Sequence, residues 1–167
     1  VYSDNGADKK YISVTSVNDD YKGHTQMCAK CKTMVAVIEN RQFGIPVVGV
    51  CCTNPAITAG NEHYFRICWL DTFQGSVLAK FAEEQLKAKT VYCLAEQGDN
   101  YSAGLCSYFI SAFTALGGTV VYETYPAGTT DFNPYLRAAQ RAGAEVFFAP
   151  VSIESAVWIT AQAGEMN

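Results

Sequence analysis

The sequence predicts an α/β fold in which helices cover a parallel β-sheet. Three β-rich runs recur at regular spacing, at residues 90–96, 119–126 and 145–152. They are almost continuously apolar rather than alternating, which is typical of strands that are buried on both faces. A helical stretch follows each run, so the pattern indicates successive strand–helix–strand units.

The helices that follow these strands are predicted from their apolar spacing and their end signals. Residues 101–116 carry an apolar stripe at helical spacing, and the stripe stops at Gly117. Thr130 or Asp131 is expected to cap the next helix, because a short side-chain oxygen can accept from the free amides of the first turn. A third helix is expected over residues 154–163.

Upstream of these units, the sequence predicts one more long helix and several short elements. Residues 71–74 (Asp-Thr-Phe-Gln) match a capping box, in which the aspartate caps the helix and the glutamine reaches back. The helix is expected over residues 72–87, with an apolar face formed by Phe73, Val77, Leu78 and Phe81. Short strands are expected over residues 10–15, 34–38, 45–52 and 64–70, and a short helix over residues 23–32.

The composition excludes two classes of protein. Hydrophobic residues make up 49% of the chain and charged residues only 17%, so the chain can build a core and disorder is excluded. The formal net charge is −4, and lysine and arginine do not cluster anywhere in the sequence. A nucleic-acid partner is therefore not expected, since phosphate binding needs a basic surface. A small molecule fits better.

The seven cysteines do not form the pattern of a disulfide framework. Their odd number leaves at least one thiol over. Cys93 lies in an apolar strand run and Cys106 lies on the apolar face of a helix, where a thiol behaves as a small hydrophobic residue. Most of the cysteines are therefore expected to be core residues.

Metal and enzyme chemistry are not predicted. Cys28 and Cys31, with His24 nearby, have a spacing that zinc could use. However, Met27, Cys31 and Met34 recur at helical spacing, which favours one apolar face packed in a core. The motifs of a phosphate-binding loop, a nucleophile elbow and a zinc protease are absent from the sequence. No catalytic residue, metal or cofactor is expected.

Seven segments, in order over residues 43–163, carry a family resemblance. They are residues 43–48 (Phe-Gly-Ile-Pro-Val-Val), 52–58 (Cys-Thr-Asn-Pro-Ala-Ile-Thr), 64–66 (Tyr-Phe-Arg), 71–75 (Asp-Thr-Phe-Gln-Gly), 99–105 (Asp-Asn-Tyr-Ser-Ala-Gly-Leu), 115–118 (Ala-Leu-Gly-Gly) and 125–132 (Tyr-Pro-Ala-Gly-Thr-Thr-Asp-Phe). Together they resemble the branched-chain amino acid substrate-binding proteins of ABC transporters, which are type I periplasmic binding proteins. Any one segment is a weak match, but their order over this length is specific.

The resemblance implies a fold of two Rossmann-like lobes joined by crossover strands, with the solute in the cleft at the C-terminal ends of the strands. Residues 1–70 are then expected to be a partial first lobe with a crossover strand. Residues 71–167 are expected to be the opening half of the second lobe. Arg66 and Asp71 are expected to be structural, positioning the crossover strand and capping the next helix. The family chain is longer, so the two-lobe fold is expected to be incomplete here.

The resemblance also implies five ligand-binding residues. Cys51, Cys52 and Thr53 occupy the loop that, in the amino acid binders, holds the carboxylate and ammonium of the ligand. A threonine hydroxyl and neighbouring amides suit a carboxylate. Tyr101 stands where the family places an aromatic residue that closes over the ligand. Ser152 replaces a position where relatives often carry an aromatic contact, which implies a wider or more polar pocket.

The function implied is that of an extracytoplasmic solute-binding protein of an ABC transporter. It would bind an amino acid, branched-chain or similar, or a small carboxylate, and present it to a membrane permease. The protein would be non-enzymatic and exported, as a periplasmic protein or an extracellular lipoprotein, with its signal absent from this chain. A ligand-sensing receptor or regulatory domain of the same fold is the alternative.

Overall fold

The computed structural model describes residues 2–4, 10–12, 25–28, 33–36 and 46–166. Contacts between residues divide the chain into two compact units, residues 1–68 and residues 69–167. The strands described in the first unit are short and paired, and the second unit is built from a parallel sheet with helices.

The described part of the first unit contains three two-stranded sheets. In chain order, β1 (Tyr2–Asp4) is antiparallel to β2 (Lys10–Ile12), β3 (Thr25–Cys28) is antiparallel to β4 (Thr33–Ala36), and β5 (Val47–Gly49) is parallel to β6 (Tyr64–Arg66). The register of the parallel pair puts Gly49 beside Arg66. Arg66 therefore lies next to the residue at which β5 ends.

The short helix predicted over residues 23–32 is wrong for the described part of that range, where residues 25–28 form β3. Met27 lies opposite Met34 in the antiparallel pair. The spacing that predicted one helical face therefore belongs to two neighbouring strands. His24 and Cys31 lie outside the described residues. The predicted strands over residues 10–15, 34–38, 45–52 and 64–70 each overlap a shorter observed strand.

The second unit contains a three-stranded parallel sheet in the order β8–β7–β9. Its elements in chain order are α1 (Asp71–Lys80), a π-helical turn (Phe81–Gln85), β7 (Thr90–Glu96), α2 (Asn100–Ala115), β8 (Thr119–Tyr125), α3 (Asn133–Arg141), β9 (Val146–Phe148) and α4 (Ile153–Glu165). The predicted strand–helix–strand units and the parallel pairing are confirmed. The helix stop at Gly117 is also confirmed, since this residue has a φ of 87°.

The central strand β7 is buried on both faces, as its continuous apolar sequence predicts. On one face, Val91 packs with Ala79, Phe109 and Phe113 from the first two helices. On the other face, Tyr92 and Leu94 pack with a second set of buried residues, namely Tyr125, Phe132, Leu136, Ala139 and Ile159. Two apolar layers therefore cover the sheet, and each layer is supplied by helices on its own side.

Three element ends differ from the prediction. Asp71 is the first residue of α1 rather than its cap, because Leu70 occupies the N-cap position, so the capping box is wrong. Asp131 accepts a hydrogen bond from the Asn133 amide at 3.1 Å in the turn before α3, and Phe132 holds the N-cap position. The strand β9 ends at Phe148. Pro150 cannot donate to a ladder, which accounts for the shorter strand.

The close contact between α1 and α2 is made by small residues. Gly75 and Ala79 of α1 are buried, as is Ala82 in the π-helical turn that follows. The large apolar residues predicted to share one helix face are instead exposed by about two fifths to one half: Phe73 at 49%, Val77 at 46%, Leu78 at 38% and Phe81 at 51%. A Cβ atom on Gly75 would lie 2.7 Å from Tyr108 Cβ of α2. Glycine therefore permits a helix–helix approach that a larger residue would prevent.

Cys93 and Cys106 are fully buried core residues, as predicted. They pack with Ala95 in one cluster between β7 and α2. The hydrogen bond between the two sulfur atoms, together with burial, raises the pKa of the Cys93 thiol well above its usual value. Both residues, like Cys51, Cys52 and Cys68, are free thiols.

Candidate functional site

The loop that follows β5 carries three of the five predicted ligand-binding residues. Cys51, Cys52 and Thr53 lie between the end of β5 and a 3₁₀ turn (Pro55–Ile57). Asn54 caps this turn, because its Oδ1 accepts a hydrogen bond from the Ala56 amide at 2.9 Å. The loop therefore leaves the C-terminal end of a parallel strand, which is the end where open α/β sheets bind their ligands.

A small apolar core packs against the loop and includes one of its cysteines. The side chain of Cys52 is 4% exposed and packs with Ile57 and Tyr64. The Tyr64 hydroxyl donates to the Cys52 sulfur at 3.4 Å. A Cβ atom on Gly49 would lie 3.0 Å from the Tyr64 ring and hydroxyl. Glycine at the strand end therefore leaves room for the Tyr64 side chain to contact Cys52. The Cys52 side chain thus belongs to the core, whereas Cys51 is half-buried.

Thr53 is a buried polar residue whose amide and hydroxyl make no hydrogen bond within residues 46–166. Its exposed fraction is 6%. Among the hydrogen bonds of residues 46–166, none involves the Thr53 amide or hydroxyl. An amide and a hydroxyl side by side are donors that a carboxylate can accept from, so this residue is chemically suited to a small anionic group.

Arg66 binds the same loop through its guanidinium. Its Nη1 atom donates to the carbonyl oxygens of Cys52 and Asn54, both at 2.9 Å. Its Nη2 atom donates to the Thr58 hydroxyl at 2.6 Å and, at 3.5 Å, to the carbonyl oxygen of Pro55. Arg66 is structural as predicted, but its contacts are to the loop after β5.

Tyr101 and Ser152 lie at one edge of the sheet in the second unit. β7 and β9 are parallel, so the segments that follow their C-terminal ends share an edge. Tyr101 is half-buried in the first turn of α2, and its amide donates to Asp99 Oδ1 at 3.1 Å. Asp99 also accepts from the Ser102 amide at 3.2 Å, so it caps the helix. This cap fixes the helix start that carries Tyr101.

Ser152 has a local structural function that the sequence did not reveal. It is exposed and is the N-cap of α4, with its hydroxyl oxygen accepting from the Ser155 amide at 3.3 Å. The hydroxyls of Ser152 and Ser155 also lie 3.2 Å apart. A ligand contact from Ser152 would have to share this hydroxyl with the cap.

Glu96 and Tyr125 form a polar pair at the same edge that was missed from the sequence. They end β7 and β8 and are direct neighbours in the register. The Tyr125 hydroxyl donates to Glu96 Oε2 at 3.1 Å, and the Glu96 amide donates to the Ser102 hydroxyl oxygen at 3.1 Å. One signal was available, since Glu96 is a charged residue that closes an otherwise apolar run.

Alkaline pH is expected to destabilise the protein through Tyr125. Burial raises the pKa of Tyr125 from its ordinary 10.0 to about 12, and the Glu96 carboxylate acts in the same direction. Between pH 10 and pH 12 the unfolded state loses this proton more readily, so stability present below pH 10 is lost as pH rises. Urea midpoints at pH 8 and pH 11 should therefore differ less in Tyr125→Phe than in the unchanged protein. An equal loss in both proteins would contradict this prediction.

Comparison with known proteins decides the family. The model of the family described as periplasmic binding protein matches residues 13–167. The chain belongs to the periplasmic binding protein family. Its predicted fold class, the α/β architecture of the type I members, is confirmed by solved structures of the same family.

Three relatives of this periplasmic binding protein chain are informative. A leucine-, isoleucine-, valine-, threonine- and alanine-binding protein of Pseudomonas aeruginosa is 28% identical over 152 residues, which are 89% of this chain and 40% of that protein. The leucine-binding protein LivK of Thermotoga maritima has a TM-score of 0.72 and 30% identity, covering 78% of this chain and 37% of that chain. The branched-chain amino acid transporter substrate-binding protein LivJ of Streptococcus pneumoniae, solved with isoleucine, has a TM-score of 0.70 and 27% identity, covering 79% and 37%.

The family's description, periplasmic binding protein, implies a location outside the cytoplasm. The chain spans about two fifths of the length of the relatives it matches. None of the helices in the described ranges is both long and apolar enough to cross a membrane. The same ranges contain no group of three or more His, Cys, Asp or Glu side chains arranged to hold a metal ion.

Proposed function

We propose that this chain is part of a solute receptor of an ABC transporter that binds an amino acid or a similar small carboxylate. The proposal rests on Thr53, a buried residue in the loop that follows a parallel strand. Neither its amide nor its hydroxyl makes a hydrogen bond within residues 46–166. A solute carboxylate would accept from both groups. The three relatives, named for leucine or other small amino acids, support this ligand class.

Each of the other four predicted contact residues would have its own role in binding the solute. Cys51 would contribute through its half-buried backbone and side chain, and Cys52 through its amide, because its sulfur and carbonyl oxygen are used by Tyr64 and Arg66. Tyr101 would pack over the apolar part of the same solute. Ser152 would add a polar contact while it caps α4.

The complete protein would act without catalysis and outside the cytoplasm, either free in the periplasm or held as a lipoprotein. Residues 1–70 would belong to the first lobe and residues 71–167 to the second. Binding of the solute would stabilise a closed state of the complete protein, because a ligand shifts an equilibrium by its differential affinity for the two states. A membrane permease would then receive the solute from this state.

Thermal unfolding with a panel of solutes tests this function. The complete protein is melted with each of the twenty amino acids, and with benzoate as a small carboxylate without an ammonium. A bound solute at a hundred times its Kd stabilises the folded state by about 2.7 kcal/mol, which raises the Tm by several degrees. L-leucinamide, which lacks the carboxylate, is the matched control and should have no effect. The proposal fails if no amino acid or carboxylate raises the Tm.

A further inference from the structure

We propose that Arg66 is a positioning residue for solute binding, which fixes the loop of residues 51–58 and thereby the direction of the Thr53 amide. The inference rests on the proposed function, since it treats Thr53 as a contact of the solute. Arg66 itself would not touch the solute. Both of its terminal nitrogens make their hydrogen bonds to the loop.

The guanidinium supplies three of the short hydrogen bonds of this loop, beside the 2.9 Å bond from the Ala56 amide to Asn54 Oδ1. Its bonds to Cys52 O, Asn54 O and Thr58 Oγ1 are 2.6–2.9 Å long. The loop's own backbone bonds, from Ile57 to Asn54 and from Thr58 to Pro55, are both 3.3 Å long. Hydrogen bonds from a charged donor are roughly twice as strong as neutral ones. The loop therefore depends for its shape on a side chain that comes from β6.

Peptide geometry connects Arg66 to the Thr53 amide. The Cys52 carbonyl and the Thr53 N–H belong to one planar unit, and the described residues contain no cis peptide bond. In a trans peptide the two groups point in opposite directions. Since the carbonyl oxygen faces Arg66, the N–H is turned away from Arg66 and from the bonds that Arg66 makes. Releasing the carbonyl would let this peptide rotate, and the donor would no longer be preorganised.

The hydrogen-bond acceptors of the loop fit the planar guanidinium group, which only arginine carries. The two terminal nitrogens reach two carbonyl oxygens on one side and a hydroxyl with a further carbonyl on the other. A lysine carries one compact ammonium, which cannot reproduce this arrangement. The pairing of Gly49 with Arg66 places the base of the side chain beside the strand end from which the loop begins.

Hydrogen–deuterium exchange of the complete protein without solute directly tests whether Arg66 holds the loop of residues 51–58. Arg66→Lys should accelerate amide exchange in residues 51–58 by about tenfold, which corresponds to losing one charge-assisted hydrogen bond. Exchange in β7 should stay unchanged. Thr58→Val removes only the shortest acceptor and should give a smaller rise, while Thr58→Ser should restore slow exchange. Arg137→Lys, at an exposed position of α3, is the matched control.

Affinity for L-leucine, measured by calorimetry, provides the second readout. Arg66→Lys should weaken binding about fivefold to tenfold, and Thr58→Val about twofold to threefold, each with a Tm close to that of the control. If the unchanged protein binds no solute of the panel, the proposed function fails. The exchange data alone then decide whether Arg66 holds the loop of residues 51–58. The inference is overturned if exchange in residues 51–58 stays slow in Arg66→Lys, if it rises equally in β7, or if affinity is unchanged while the loop opens.

Discussion

Replacing Gly75 with alanine is expected to destabilise the protein by about 1–3 kcal/mol, the usual range for overpacking a close contact. The added Cβ would lie 2.7 Å from Tyr108 Cβ and 2.8 Å from the Phe109 backbone nitrogen. Backbone atoms cannot move aside as a flexible side chain can, so α1 and α2 would have to separate. The separation would loosen the apolar layer that includes Ala79 and Phe113. Urea unfolding of the complete protein, followed by circular dichroism, measures the change in unfolding free energy.

Gly104→Ala is the matched control for this prediction. Gly104 lies inside α2, and no atom of the described residues beyond its chain neighbours and the adjacent helix backbone lies within 4 Å of the position that its Cβ would occupy. Alanine there should stabilise the protein by about 0.5–1 kcal/mol, because glycine has a poor helix propensity. The two substitutions therefore have opposite signs. If Gly75→Ala also stabilises the protein, the close approach of the two helices is wrong.

Replacing Thr53 with valine is expected to weaken binding of the solute by about tenfold to a hundredfold, as for loss of a hydrogen bond to a charged group. Valine keeps the shape of threonine but removes the hydroxyl. Because this hydroxyl makes no hydrogen bond among the described residues, the Tm without solute should stay the same or rise. Calorimetry with the amino acid found in the thermal panel, together with the two melting curves, measures both effects.

Thr53→Ser separates the hydroxyl from the methyl group. Serine keeps the hydroxyl and should bind within about threefold of the unchanged protein, since only a small apolar contact is lost. Binding by Thr53→Val at the original affinity would mean that the hydroxyl does not contact the solute. A large fall in Tm without solute would mean that Thr53 is a structural residue instead.

The second unit could be predicted well because its sheet is covered on both faces. Continuous apolar sequence is rare outside such strands, so β7 was located to the residue and β8 to within one residue. The helix α2 was also clear, because its apolar stripe has helical spacing and stops at Gly117, whereas its cap, Asp99, was not predicted. The end of β9 was less clear, since burial continues past Pro150 although the ladder does not.

Elements that depend on contacts distant in sequence could not be predicted. Met27 and Met34 fit a helical spacing, and only the pairing of β3 with β4 shows that they lie on two strands. The apolar pattern of α1 indicated its large residues as the packing face, whereas Gly75 faces α2 because of how closely the two helices approach. Such close approaches depend on both partners, and a single segment does not contain that information.

The candidate site shows the same division. The loop with Cys51, Cys52 and Thr53 was located from a motif that is continuous in sequence. The contact of Arg66 with that loop spans up to 14 residues, and it depends on the parallel register of β5 and β6. Glu96 and Tyr125 are 29 residues apart and meet only because β7 and β8 are neighbours. Residue types at a site can be predicted locally, but their partners require the fold.

An NMR titration of the Thr53 amide tests the central claim most directly. The complete protein is labelled with [15N]threonine, and the Thr53 signal is assigned by its absence from the spectrum of Thr53→Ser. Titration with the amino acid identified in the thermal panel should shift this signal saturably, with the same Kd as calorimetry gives, because the amide donates to the solute carboxylate. If the amino acid binds by calorimetry while the Thr53 amide does not shift, the solute is held elsewhere and the account of this site is wrong.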